Sequence, residues 1–269
     1  MCRWIAYKGR TIPLERYVTE PAHSLVRQSI GAKEALGATQ GDGFGLGWYD
    51  AHEEPGLYRE VRPAWSDENL KHLCRHIRAH LFFAHVRAAT STPTTRPNCH
   101  PFIHGRFMFM HNGSLGHWDL IRRKVEALIP DAYYRSRVGT TDSEAAFLAI
   151  LGARTGKDPA EKDLVGALTA TVARIAEMVR LSGQPNAFRF TSALTDGETL
   201  YAVRYALPQD AANTLYYRED AGDVVIASEP LDAERDIWRP VPANHLLIVP
   251  KSGKPRLEPF LAEARAAAE

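Results

Sequence analysis

Cys2 stands directly behind the initiator, which makes it a candidate nucleophile. Methionine aminopeptidases usually remove Met1 when the next side chain is small, and Cys qualifies. The mature chain would then open on one residue carrying both a thiol and a titratable α-amine, an attacking group with its own general base. Three later segments hold partners for such a group. His111-Asn112-Gly113 closes the apolar run RFMFMH. Asn-Gly after a strand is the commonest type I′ hairpin signal and favours a hairpin taken alone; the other reading is a strand end that presents the Asn carboxamide and the Gly N–H as an oxyanion hole. Arg87, in FFAHVRAAT, is either a solvated charge at a loop entrance or a planar fork for a carboxylate, with the Thr90 hydroxyl beside it. Asp142, in GTTDSEAAF, falls in the first turn of an expected helix for which Thr141 and Glu144 have capping-box spacing. Its carboxylate suits the helix dipole or a substrate ammonium, and a capped turn would fix it for either.

Other chemistry fits less well. GDGFGLGWY lacks the Lys-Ser/Thr of a phosphate-binding loop and reads as a glycine-rich loop entering a close-packed strand. His100, His104, His111 and His117 match no zinc-ligand spacing, so no metal is expected. Cys99 and His100 are sequence neighbours, whereas a protease pair meets in space. His100-Pro101-Phe102 is expected to close the long loop Arg87–Pro101 over a pocket.

The positioning elements come next. Strands are predicted at Cys2–Tyr7, Phe44–Asp50, Leu81–Val86 and Arg106–His111, then at Phe188–Leu194, Thr199–Ala206, Thr214–Tyr217, Asp223–Ala227 and His245–Val249. Asp196-Gly197 marks a hairpin. Between the two groups, helices are predicted from Ser143 to Ala153 and from Asp163 to Leu181, joined by the polar loop RTGKDPAEKD. Cys74, in DENLKHLCRHI, belongs at a core edge on a helix whose apolar face carries Leu70, Leu73 and Ile77. LAEARAAAE is a weak helix or a frayed tail. Strands, helices, then strands again imply α+β layers in one domain over 1–269.

With 269 residues, a net charge of +1 and 24% charged residues, the chain has no strong field for nucleic acid or an anionic membrane. Three cysteines, an odd number, argue against a disulfide framework. No apolar run approaches the ~20 residues of a bilayer span and no signal peptide is evident, so a cytoplasmic location is expected.

Taken in order, MCRWIAY, DGFGLGWY, HVRAAT, HPF, HNGSLG and TTDSEAAF resemble the class II glutamine amidotransferases, and ALTDG and VVIASEPLD fit the same pattern. The likeness runs from Cys2 to about Asp232 and is greatest to compact, stand-alone members, including those that hydrolyse a γ-glutamyl amide in ergothioneine biosynthesis. It implies an N-terminal-nucleophile hydrolase with a four-layer αββα fold of two antiparallel sheets. It also implies Cys2 as nucleophile, its α-amine as base, and Asn112 with the Gly113 N–H as oxyanion hole. Arg87, helped by Thr90, would hold the substrate α-carboxylate and Asp142 its α-ammonium. No cofactor is implied. The substrate would be glutamine or a larger γ-glutamyl conjugate; a non-catalytic glutamine-binding module is the other class of reading. A separate enzyme would receive any ammonia destined for synthesis. Ala88 and Ser91 depart from the Trp and His found in many amino-sugar-forming members, which leaves the lid and the acceptor open.

Overall fold

Strand-forming runs at both ends of the sequence build two sheets, and the helical middle covers one of them. The computed structural model describes residues 2–34, 39–89, 92–155, 161–183 and 188–261. In chain order the strands are β1 (Arg3–Pro13), β2 (Phe44–Tyr49), β3 (Gly56–Glu60), β4 (Arg78–Val86), β5 (Phe102–His104), β6 (Phe107–Leu115), β7 (Phe188–Thr195), β8 (Leu200–Leu207), β9 (Tyr216–Asp220), β10 (Asp223–Ala227), β11 (Arg239–Pro240), β12 (His245–Val249) and β13 (Arg256–Pro259). The helices are α1 (Glu15–Val18), α2 (Leu25–Ile30), α3 (Glu68–His76), α4 (Trp118–Glu126), α5 (Asp131–Tyr134), α6 (Asp142–Gly152) and α7 (Glu161–Leu181).

One sheet runs β11-β9-β10-β1-β4-β2-β3 and the other β13-β12-β8-β7-β6-β5. Their ladders are antiparallel, so side chains alternate between two faces along each strand. Trp4, Ala6, Leu81 and Phe83 of the first sheet meet Met108, Met110, Ala193 and Ala202 of the second in a buried middle layer. Ile5, Tyr7, Phe82 and Ala84 point the other way, under Val18, Leu25, Leu70 and Cys74 of α1 to α3. On the far side, Phe109, Phe190 and Val203 pack beneath Phe147, Ile150, Leu168, Val172 and Ile175 of α6 and α7. The result is the expected αββα sandwich. α6 is buried on all sides from Ser143 to Leu151, which its near-continuous apolar sequence requires.

Several expectations need correction. Asn112-Gly113 makes no hairpin: β6 continues to Leu115, with Asn112 opposite Thr191 and Gly113 opposite Phe190. Gly113 has φ +145°, and a Cβ there would sit 2.0 Å from the Arg189 carbonyl oxygen, so its glycine serves a close strand contact. Cys74 is fully buried rather than at a core edge. The Thr141–Glu144 capping box is half formed. Thr141 Oγ1 accepts the Glu144 N–H at 3.1 Å, but the Glu144 carboxylate accepts the N–H groups of Val138 and Gly139 instead of reaching back to Thr141. The predicted tail beyond Leu261 and the loop 156–160 lie outside the described residues.

Candidate active site

Strand alternation brings the sequence-selected residues to one end of the buried middle layer. Cys2 leads β1 and shares the inward face of Trp4 and Ala6. Arg87 follows β4, in step with inward-facing Phe83 and His85. The β1–β4 register, Arg3 opposite Val86, makes the two strand ends neighbours. Asn112 is in step with Met108 and Met110 on the facing sheet. The sheets are joined there: Asn112 Nδ2 donates to the Cys2 carbonyl oxygen at 2.7 Å. The Ala88 N–H donates to the Cys2 sulfur at 3.2 Å. The second hydrogen of the Asn112 amide has no acceptor among the described residues.

Arg87 is almost fully buried. Its Nη2 donates to Thr92 Oγ1 at 2.7 Å and to the Thr92 carbonyl at 3.1 Å. Asp42 braces the same loop by accepting the Ala89 N–H at 2.8 Å. Thr90 lies outside the described residues, and Thr92 is the hydroxyl that meets the guanidinium. Asp142 opens α6. Its Oδ2 accepts the Leu115 N–H at 3.2 Å and its Oδ1 the Ser143 N–H at 2.8 Å, which fixes the carboxylate beside the end of β6. His111, on the outward face of β6, meets Ser143 Oγ at 2.9 Å through Nδ1.

Cys2, Arg87, Gly113 and Asp142 line one cavity of about 720 Å³, with His100, Thr92 and Ser143 also in its wall. The volume falls within the range of about 300–1,000 Å³ usual for small-molecule sites. His117, Trp118, Asp119 and Arg122 also line this cavity. His100 closes part of the cavity, as expected of the His100-Pro101-Phe102 segment. Among the described residues no cluster of His, Cys, Asp and Glu could hold a metal ion.

Burial pushes the Cys2 thiol above its usual value, against the pull of the Ala88 N–H and the Arg87 charge, so a base must take its proton. Burial also drives His85 down to about 3, and lowers His100 and His111. These imidazoles are neutral near pH 7 and add no positive charge to the cavity.

Residues 19–264 match the family model described as glutamine amidotransferases class-II. The chain belongs to that family. A probable glutamine amidotransferase, DUG3, of Saccharomyces cerevisiae is 33% identical, covering 93% of this chain and 82% of the yeast protein. The gamma-glutamyl-hercynylcysteine sulfoxide hydrolase of Mycolicibacterium smegmatis is 30% identical over 93% of this chain and 96% of its own. A solved glutamine aminotransferase class-II domain protein from Silicibacter pomeroyi superposes with a TM-score of 0.73 at 34% identity, covering 97% of this chain and 100% of that one.

For a class II glutamine amidotransferase, the sequence reading missed three parts of this site. Thr92 sits in a loop without periodicity and carried no signal. α4, which brings Trp118, Asp119 and Arg122 to the cavity, did carry one: Trp118, Ile121 and Val125 recur at helical spacing. His85 lies inside the quoted FFAHVRAAT but was read only as strand.

Proposed function

We propose that this chain, once Met1 is removed, hydrolyses the side-chain amide of a γ-glutamyl substrate through a Cys2 thioester. The observation that carries the reading is the juxtaposition at one cavity of Cys2, Gly113, Arg87 and Asp142, with the Asn112 carboxamide bonded to the Cys2 carbonyl beside it. The free α-amine takes the thiol proton, directly or through one water. The sulfur attacks the carbonyl carbon and the C=O electrons move to oxygen. The free Asn112 N–H and the Gly113 N–H stabilise that oxyanion, each donor worth about 2.7–4 kcal/mol in comparable sites. As the C=O reforms, the C–N bond breaks and the ammonium proton passes to the leaving nitrogen. Water then attacks the thioester, giving its proton to the amine, and glutamate leaves as the thiol is restored. Arg87 and Asp142 grip the substrate α-carboxylate and α-ammonium, so positioning supplies part of the rate. The whole span 1–269 acts as one unit in this reading, and the location is cytoplasmic.

With free glutamine the leaving group is ammonia, which a separate acceptor enzyme could consume. The cavity volume of about 720 Å³ leaves room beyond a bound glutamine and favours a second form of the reaction, on a larger γ-glutamyl conjugate whose amine portion fills the remaining space. The hydrolase name of the mycobacterial relative supports it. One assay separates the two. Enzyme whose N-terminal Cys2 is verified by mass spectrometry is offered glutamine and γ-glutamyl dipeptides, and glutamate release is measured. A larger kcat/KM for glutamine selects the first form, a larger value for dipeptides the second. No glutamate from either overturns the hydrolytic reading.

A further inference from the structure

His85 is buried on β4 with its ring edge against the oxyanion residue: His85 Nε2 lies 3.2 Å from Asn112 Oδ1. The partners of Asn112 determine which hydrogen His85 carries. The Cys2 carbonyl can only accept, so the nitrogen of the Asn112 carboxamide must face it, at 2.7 Å. The carboxamide oxygen therefore faces His85, whose Nε2 must be the donor. His85 is thus the neutral imidazole protonated at Nε2; the His111 backbone carbonyl also faces the ring as an acceptor, and Nδ1 has no partner within hydrogen-bond distance among the described residues. Burial keeps the ring neutral down to about pH 3, which preserves this single arrangement through the working range.

The ring is held from two sides. His100, which lines the cavity, packs on it with centroids 4.3 Å apart. Gly45 is the cross-strand neighbour of His85, and a Cβ there would sit 2.1 Å from the His100 carbonyl oxygen. The bare glycine makes the room in which His100 covers His85. The Asn112 backbone is tied separately, its carbonyl accepting from Asn213 Nδ2 at 3.2 Å.

We propose that His85 is a positioning residue for the amide hydrolysis, locking the Asn112 carboxamide and polarising it through Oδ1 so that its free N–H donates more strongly to the developing oxyanion. Hydrogen bonds in a chain strengthen one another. This inference rests on the oxyanion role given to Asn112 above. His85 touches no substrate, so its loss lowers kcat and leaves KM in place.

The test uses full-length enzyme with a verified Cys2 terminus, with glutamine and γ-glutamyl-p-nitroanilide as probes. His85→Phe keeps a planar ring and removes the donor; His85→Gln returns an N–H. His85→Phe is expected to lower kcat about tenfold to a hundredfold, less than loss of an oxyanion donor itself, with KM changed less than about twofold. His85→Gln is expected to recover part of the loss. Asn112→Ala is the reference: if it retains full kcat, the oxyanion reading itself fails and takes this inference with it. If Asn112→Ala is impaired and a folded His85→Phe is not, or if His85→Phe raises KM alone, only the His85 role is overturned. Long-range ¹H–¹⁵N spectra of histidine-labelled wild-type enzyme decide the matter should His85→Phe fail to fold. A neutral His85 with hydrogen on Nε2 supports the proposal, and hydrogen on Nδ1 overturns it.

Discussion

The backbone N–H of Ala88 points at the sulfur of Cys2 across 3.2 Å, from the loop that leaves β4 to the residue that starts β1. A strand-end amide is thereby aimed at the atom that becomes anionic in the proposed mechanism. It lowers the cost of the thiolate in a place where burial raises it. Cys2→Ala removes the sulfur but none of the strand pairing. It is expected to reduce glutamate release by at least about 10⁴-fold, as loss of a catalytic nucleophile does elsewhere, with Tm within a few degrees of wild type. Turnover surviving in a sequence-verified sample would end the thioester mechanism.

Arg87→Lys keeps the charge but loses the planar fork and the bond geometry to Thr92. KM for glutamine or a γ-glutamyl dipeptide should rise about tenfold or more, equivalent to roughly 1.4 kcal/mol or more of binding, with kcat changed less. Steady-state kinetics with an unchanged kcat/KM would remove Arg87 from substrate recognition.

Asp142→Asn tests the ammonium site. In the proposed role, the fixed carboxylate is expected to distinguish a substrate with a free α-ammonium from its N-acetylated analogue. The variant should lose most of that discrimination, measured as the ratio of the two kcat/KM values. A ratio equal to that of wild type would leave Asp142 only its bonds to the Leu115 and Ser143 N–H groups.

The buried histidines set a pH dependence of stability. His85, His100 and His111 all have folded values below the ordinary histidine value. Below about pH 6.5 the unfolded chain binds protons there that the folded chain does not, so stability falls as pH falls. Each histidine contributes a slope of up to about 1.4 kcal/mol per pH unit until its folded value is reached. Tm should therefore decrease from pH 7 to pH 5. A flat or rising Tm over that interval would mean that these rings take up protons in the native state.

Two glycines give opposite predictions for the same substitution. Gly45→Ala drives a methyl into the His100 carbonyl and is expected to cost about 1–3 kcal/mol, with activity reduced as the cavity wall shifts. Gly166 lies exposed in α7 with nothing within 4 Å of an added Cβ. Gly166→Ala is expected to stabilise by about 0.5–1 kcal/mol through helix propensity. Thermal unfolding of the pair, with wild type, measures both signs.

Much of this arrangement was legible because its signals are local. Cys2 and Arg87 adjoin the ends of apolar strands and Asn112 lies on one, and Asp142 follows a helix cap. The Asn112-Gly113 hairpin expectation failed because turn chemistry is also a local signal. The partner strand β7 supplied register through Leu115, and tertiary pairing outweighed it. β3 and β13 escaped notice because their half-exposed residues alternate weakly, as edge strands do. Thr92 was invisible because only the fold brings that loop residue back to Arg87. The αββα stacking itself came from the family likeness; strand periodicity alone gave no more than layered α+β.

β1 lies in the interior of its sheet, flanked by β10 on one side and β4 on the other, and Cys2 stands where that central strand meets the cavity. In the proposed mechanism, a purification tag fused ahead of Cys2 would convert the amine that accepts the thiol proton to an amide, beside a residue that lines the cavity. On that reading a handle belongs at the other terminus, and an enzyme assayed with a leader still attached is expected to be inactive for want of its base.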